Sequence, residues 1–147
     1  MKFKITALVA AGLMAGPALA QDGDAAAGEQ AFSQCQTCHV VQDADGNTIA
    51  GRNAKTGPNL YGVAGRQAGS IEDFRYGDAI VEAGEQGLMW DEESFVAYVQ
   101  DPTGFLKETL DDPRARGKMT YRVRSEEDAH NLWAFLSQHG GEAAATN

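Results

Sequence analysis

The chain has 147 residues, which is enough for one ordinary domain and too few for two. It carries 12 basic and 21 acidic residues, a formal net charge of −9 at pH 7. A strongly acidic chain is repelled by nucleic acid and by anionic lipid surfaces, so the composition excludes both as partners.

Residues 1–20 have the features of a cleaved export signal. Lys2 and Lys4 give it a basic start, an apolar run follows, and Ala18-Leu19-Ala20 forms a cleavage site of small residues. The apolar run is shorter than the roughly 20 residues that a membrane-spanning helix needs, and no other stretch is long enough. We expect export to the periplasm, where the protein spans no membrane. The mature chain then begins at Gln21 with a formal charge of −11, because both lysines leave with the signal.

The remaining chain predicts an all-helical domain over residues 21–140. No internal repeat and no strand-rich region is present, whereas apolar residues recur at helical spacing after residues that commonly cap helices. The four predicted helices, with their N-cap residues, are 25–34 (Asp24), 71–83 (Ser70), 92–100 (Asp91) and 126–138 (Ser125).

Two long loops separate these helices, at 42–70 and 102–124, and the second has room for a short helical turn. Pro102 is expected to end the third helix. Loops of this length in a small domain need something to pack against, and a large buried cofactor would supply it. The tail at 141–147 is small and polar, so it is expected to be disordered.

The main chemical motif is Cys35-Gln36-Thr37-Cys38-His39, a C-x-x-C-H sequence typical of covalent haem attachment. Two thiols at this spacing can add to the two porphyrin vinyl groups and form thioethers. His39 is then held beneath the iron as the proximal ligand.

Several simpler interpretations of this motif are less favoured. A thioredoxin-like C-x-x-C requires a βαβ setting, which the sequence lacks. Half of a zinc site needs further ligands, and the remaining histidines, His130 and His139, lie nine apart on one predicted helix. A structural disulfide gives no role to His39, and so short a loop would constrain little of the unfolded chain.

The second axial ligand decides between an electron carrier and an open, reactive iron. Met119 lies in a polar loop where a core role is less natural, so it is the favoured ligand. Met89 precedes Trp90 and is interpreted as a packing residue. His130 lies among charged residues of the last helix and is expected to be solvated.

Five basic residues and no acid lie between positions 114 and 124, around the candidate ligand Met119. They are either a solvated loop or a positive ring that steers the protein to acidic partners, and their position favours steering. These candidate docking residues are Arg114, Arg116, Lys118, Arg122 and Arg124.

From Asp22 to about His139 the sequence resembles the class I soluble cytochromes c, specifically the long-loop bacterial members used in respiration or photosynthesis. The motifs occur in the family's order. They are Gly28, Phe32, the C-x-x-C-H motif, the segment 56–62, Gly65-Arg66, the segment 74–79, Trp90, Tyr98, Pro102, Lys118-Met119 and 132–136.

The resemblance implies four to five helices wrapped round one covalent haem c, with further haem contacts. The Pro58 carbonyl would accept the His39 N–H, and Arg66, Tyr76 and Trp90 would hydrogen-bond a buried propionate. Tyr98 would lie near the sulfur of Met119.

The resemblance also implies a function. The protein would carry single electrons from a donor such as a cytochrome bc complex to an acceptor such as a terminal oxidase or a photosynthetic reaction centre. It would act as a monomer, dock transiently by electrostatics and transform no substrate. A haem peroxidase and a ligand-binding sensor are the competing classes. Each of them needs an open or exchangeable sixth position on the iron.

Overall fold

The computed structural model describes residues 23–141, so the predicted signal at 1–20 and nearly all of the predicted tail lie outside the described residues. The described part has five α-helices, a short 3₁₀ turn and one hairpin, which confirms the helical fold class. Among these residues no helix has the length and apolarity needed to cross a bilayer. The elements are α1 (Ala25–Ala31), the 3₁₀ turn (Phe32–Gln34), β1 (Val40–Gln42), β2 (Thr48–Gly51), α2 (Asp78–Glu85), α3 (Glu92–Gln100), α4 (Pro102–Leu110) and α5 (Glu126–Leu136).

Three of the four predicted helix starts are confirmed, each with its capping side chain. Asp24 accepts hydrogen bonds from the backbone of Ala26 and Ala27 at the start of α1. Asp91 and Ser94 form a reciprocal capping box on α3. Ser125 accepts from the amide of Asp128, 3.2 Å away, at the start of α5. Each cap satisfies helix N–H groups that have no intrahelical partner.

The crossing of α1 and α5 forms the base of the fold. A Cβ atom on Gly28 would lie 2.5 Å from the carbonyl carbon of Asn131 and 2.8 Å from Cβ of Phe135, so only glycine fits. Phe32 and Phe135 then meet with ring centroids 6.0 Å apart. The buried Asn131 side chain accepts a hydrogen bond from the Asp24 amide at 2.7 Å, which ties the N-terminus of α1 to α5.

The second helix prediction is wrong at its start. Residues 71–77 form turns rather than helix, and α2 begins at Asp78 after an extended Gly77. Phe74 and Tyr76 meet edge to face at 4.7 Å in this segment. Side chains two positions apart do not face each other on a helix, so this aromatic contact is incompatible with the predicted helix start.

The prediction for 102–124 is also incomplete, because a full nine-residue helix, α4, begins at Pro102. The extended Asp101 ends α3 and caps α4, accepting a bond from the Gly104 amide at 3.1 Å. Proline at a first helical position lacks only an N–H that would be unpaired anyway, so it both stops α3 and starts α4.

The hairpin of β1 and β2 was not predicted. Its strands pair antiparallel, with Val40 opposite Gly51 and a register shift after Val41. Strands of three and four residues are too short to show a period-two pattern, although Asp45-Gly46 does mark the turn. Val41 is fully buried and anchors the hairpin to the core formed by α1, α3 and α5.

Candidate haem-attachment site

The cysteine segment is a compact turn at the end of the 3₁₀ element. The Cys35 amide donates to the Phe32 carbonyl at 2.8 Å, and the amides of Cys38 and His39 donate to the Cys35 carbonyl at 3.1 and 2.9 Å. Both thiols are free and half-buried. Burial, followed by the neighbouring Cys38, raises the pKa of the Cys35 thiol to about 11, so it is protonated at neutral pH.

His39 is fixed by a hydrogen bond from its Nδ1 atom to the carbonyl oxygen of Pro58, 2.9 Å away. A carbonyl only accepts, so Nδ1 carries the proton and Nε2 keeps its lone pair free to bind a metal. Burial lowers the pKa of this imidazole, whereas the hydrogen bond to the Pro58 carbonyl raises it by a smaller amount. The buried environment therefore favours the neutral, ligating form of His39.

The loop opposite His39 is held close to the imidazole. The Gly57 amide donates to the Cys38 carbonyl at 2.6 Å. A Cβ atom on Gly57 would lie 2.6 Å from Nδ1 and 2.8 Å from Nε2 of His39, which is closer than real Cβ contacts. Gly57 belongs to the 56–62 motif, but its contact with the imidazole ring has no signature in the sequence.

Asn59 is a second residue whose role the sequence did not show. Its side chain accepts from the amides of Gln42 and Tyr61 at 3.0 and 3.1 Å and donates to the Gln42 carbonyl at 2.7 Å. These bonds tie the loop that holds Pro58 to strand β1. The only sequence signal for them is the turn pattern Gly57-Pro58-Asn59.

Four of the predicted haem-contacting residues form one cluster. The Trp90 amide donates to the Arg66 carbonyl at 2.9 Å, and the rings of Trp90 and Tyr98 have centroids 5.0 Å apart. Tyr76 is close enough to couple electrostatically to both Arg66 and Tyr98. The structure therefore brings Arg66, Tyr76, Trp90 and Tyr98 together.

The polar groups of this cluster are partly removed from water. Burial lowers the pKa of Arg66, while the nearby Tyr76 raises it. Burial raises the pKa of Tyr76, against the effects of Arg66 and the Ile71 backbone. Burial and then Tyr76 raise the pKa of Tyr98 to about 12. The Arg66 guanidinium donates to the carbonyls of Tyr61 and Asn59 at 2.9 and 3.2 Å, so a partly buried cation lies close to Tyr76.

Met119 is half-buried in the loop between α4 and α5. On one side of it, the Lys118 ammonium donates to the Arg75 carbonyl at 2.7 Å. On the other side, the Tyr121 hydroxyl donates to Gln34 Oε1 at 2.5 Å. The loop thus reaches from the segment that holds Tyr76 to the segment that precedes Cys35.

Two of the other sequence interpretations are wrong. Met89 is 47% exposed, so it is not a packing residue. His130 is not solvated, because its side chain is 23% exposed and its Nδ1 atom lies 2.7 Å from Glu92 Oε1. Within the described residues no group of three His, Cys, Asp or Glu side chains is placed to hold a metal ion.

The candidate docking residues differ in their contacts. Arg114 and Arg122 form ion pairs with Asp112 and Asp101, at 3.4 and 2.8 Å. Arg116 donates to nearby backbone carbonyls, Lys118 to Arg75, and Arg124 is exposed. All five lie at the surface around the Met119 loop, and none is buried.

No protein-family model matches the chain, but comparison with individual known proteins identifies its family. Cytochrome c2 from Cereibacter sphaeroides is 63% identical over 140 residues, covering 94% of this chain and 97% of that protein. Cytochrome c-550 from Paracoccus versutus is 45% identical over 147 residues, covering 99% of this chain and 94% of that protein.

A crystal structure of cytochrome c2 from Rhodobacter sphaeroides matches with a TM-score of 0.79 and 62% identity. The match covers 82% of this chain and 98% of that one. This chain belongs to the class I bacterial cytochromes c. The resemblance and the class I fold inferred from sequence are therefore confirmed. As a cytochrome of this class it is an electron carrier with one covalently attached haem c.

The described residues of this cytochrome c fit that cofactor. Its two cysteines, both free in one turn, match the two thioether bonds that one haem c needs. The Pro58 bond leaves Nε2 of His39 as an available ligand nitrogen. The partly buried Arg66 guanidinium, near Tyr76 and Trp90, offers the positive charge and hydrogen-bond donors that a propionate requires.

Proposed function

We propose that this cytochrome c is a one-electron carrier of the periplasm in which Cys35 and Cys38 hold haem c and His39 and Met119 are the axial ligands. The observation that carries the proposal is the 2.9 Å bond from His39 Nδ1 to the Pro58 carbonyl. An imidazole that is fixed in orientation and directly follows two free thiols is suited to one task, the ligation of an iron held by those thiols.

The protein supports His39 in three ways. The Pro58 carbonyl holds its tautomer, burial disfavours protonation of Nε2, and Gly57 closes against the ring. Asn59 fastens the loop that presents Pro58 to strand β1. These contacts keep the imidazole in one orientation, so little of the site has to reorganise when the charge on the iron changes.

Met119 is proposed as the second ligand because its loop is tied on both sides, at Arg75 and at Gln34. A thioether is a soft ligand that favours the reduced iron and raises the reduction potential. With both axial positions filled, the protein offers no open site for a substrate, which favours electron carriage over a peroxidase.

Arg66, Tyr76 and Trp90 are proposed to pair with a propionate, and Tyr98 is proposed to lie close to the Met119 sulfur. The support is their common cluster and the burial of the Arg66 guanidinium. A partly buried guanidinium that donates to backbone carbonyls gains from a carboxylate nearby, since the carboxylate neutralises its charge.

When bound, haem c supplies an iron that accepts and releases one electron without any change in covalent bonds. We propose a cytochrome bc complex as donor and a terminal oxidase or a photosynthetic reaction centre as acceptor. The surface residues Arg114, Arg116, Lys118, Arg122 and Arg124 would dock the monomer transiently on acidic partner surfaces. Residues 1–20 are proposed as the cleaved export signal and residues 21–140 as the cytochrome domain.

Replacement of each mature-chain methionine tests the ligand assignment. Met119→Ala should lower the reduction potential and let added imidazole or cyanide bind rapidly, because it empties one axial position. Met89→Ala is the matched control, since Met89 is 47% exposed and should change neither property. The potential is measured by redox titration and ligand binding by optical spectroscopy.

The same experiment distinguishes the competing functions. A Met119→Ala protein with unchanged potential and spectrum would exclude Met119 as a ligand. If the unmodified protein already binds cyanide rapidly, the iron is open, and a peroxidase or a ligand sensor replaces the carrier.

A further inference from the structure

Tyr121 makes an unusual contact for a residue at the surface. Its hydroxyl donates to Gln34 Oε1 at 2.5 Å, across 87 positions of the sequence. Although Tyr121 is 44% exposed, its hydroxyl joins the loop between α4 and α5 to the segment that precedes Cys35. Gln34 directly precedes Cys35, and Tyr121 follows Met119 by two residues.

Other contacts hold this loop from different directions. The Gly117 amide donates to Thr103 Oγ1 at 3.1 Å on α4, and the Val123 amide donates to the Val99 carbonyl at 2.8 Å on α3. Both bonds fasten the loop to the helices before it. The Tyr121 bond instead fastens it to the cysteine segment.

We infer that the Tyr121–Gln34 hydrogen bond is a clasp that positions Met119 over the iron and slows its exchange for other ligands. The inference rests on the proposed function, because it takes Met119 as the axial ligand. Tyr121 acts through Met119 and is therefore a positioning residue.

The physical argument follows from the geometry of opening. For an external ligand to reach the iron, Met119 must move away with its loop. A loop tied only to helices α3 and α4 and, through Lys118, to the Arg75 carbonyl could still swing outward from the cysteine segment, and the Tyr121 bond opposes that movement. An exposed neutral hydrogen bond contributes modestly, so its loss should speed opening by about threefold.

The experiment measures the rate at which imidazole displaces Met119 in the oxidised, haem-loaded protein, followed by loss of the weak long-wavelength band of the iron–thioether bond. Tyr121→Phe removes only the hydroxyl and Gln34→Ala removes the acceptor. Each should raise the rate about threefold, and the double variant should exchange no faster than either single variant.

Two further variants separate a clasp from a general loss of structure. Gln34→Glu keeps an acceptor oxygen, so its exchange should be as slow as in the unmodified protein. Tyr61→Phe removes a hydroxyl from a different tyrosine, which is half-buried, and should leave the rate unchanged. Urea unfolding of Tyr121→Phe should match that of the unmodified protein closely, because an exposed hydroxyl adds little to global stability.

An unchanged exchange rate in Tyr121→Phe would overturn the clasp, as would a double variant whose effect is the product of the two single effects. Fast exchange in Gln34→Glu would overturn it too. These outcomes differ from failure of the proposed function, in which the unmodified protein lacks the long-wavelength band altogether.

Discussion

Gly57 lies against the ring of His39, and that contact leaves no space for a side chain. We expect Gly57→Ala to push the imidazole away from the Pro58 carbonyl, because the new Cβ would lie 2.6 Å from Nδ1. Overpacking of this kind costs about 1–3 kcal/mol. Covalent haem yield after periplasmic expression and the optical spectrum of the product measure the effect.

Gly46→Ala is a suitable comparison for Gly57→Ala. Gly46 has a φ of 86° and open space around it, so alanine there causes backbone strain without a steric clash. It should lower stability slightly and leave haem yield unchanged. Equal haem yields from both variants would show that Gly57 does not control the position of His39.

For individual residues, the sequence indicated candidate haem-binding side chains more clearly than their hydrogen-bond partners. The C-x-x-C-H motif is typical of covalent haem attachment, so Cys35, Cys38 and His39 could be predicted as haem-binding residues from sequence. The contribution of Asn59 could not be predicted, because its hydrogen bonds depend on a strand that the sequence pattern does not reveal. The partners of Arg66 are backbone carbonyls, which carry no sequence signature.

The contact between α1 and α5 depends on a residue without a side chain. Gly28→Ala would place a Cβ 2.8 Å from Cβ of Phe135 and still closer to the Asn131 backbone, so the helices must separate. The free energy of unfolding should fall by about 2 kcal/mol, although alanine favours the helix itself. Urea denaturation measures this loss.

The control for the helix crossing is Glu29→Ala, which changes an exposed neighbour on the same helix. It should alter stability by less than about 0.5 kcal/mol, as surface substitutions usually do. If Gly28→Ala proves as stable as Glu29→Ala, the close approach of α1 and α5 is not required.

The helices α1, α3 and α5, with a cap and a regular apolar face, were predictable, whereas α2 and α4 begin where the local signals are ambiguous. The starts of α1, α3 and α5 follow from Asp24, Asp91 and Ser125. The start of α2 was misplaced because Ser70 is a residue type that commonly caps helices, yet the helix begins eight residues later, at Asp78. A proline can end one helix or occupy the first position of the next. Pro102 does both here, because it follows α3 and begins α4.

The whole molecule combines an acidic chain with a local positive surface. Arg124 is exposed in that surface, so Arg124→Gln should slow reduction by a membrane redox complex about twofold at low ionic strength. The effect should disappear at high salt, because counterions screen the attraction. Stopped-flow rates over a range of salt concentrations measure it.

Lys107→Gln is the matched control, since it removes one positive charge from α4, outside the 114–124 surface. It should change the rate little at any salt concentration. A slowing that is equal for the two variants would mean that only net charge matters, and a slowing independent of salt would contradict steering.

The fold as a whole was predictable because the order of motifs along the chain is specific to one family. A helical domain with long loops around a large cofactor follows from the sequence, and the five helices agree with it. Which loops touch which helices could not be predicted, since contacts such as Tyr121 with Gln34 join residues 87 positions apart.

The central claim is that His39 and Met119 both bind the iron of the covalent haem. An optical spectrum of the oxidised protein, expressed in a periplasm, tests it most directly. The account predicts low-spin haem with the weak long-wavelength band of an iron–thioether bond. Haem that stays attached after denaturation but lacks this band in the native protein would contradict the claim, because the iron would then be open or bound by another ligand.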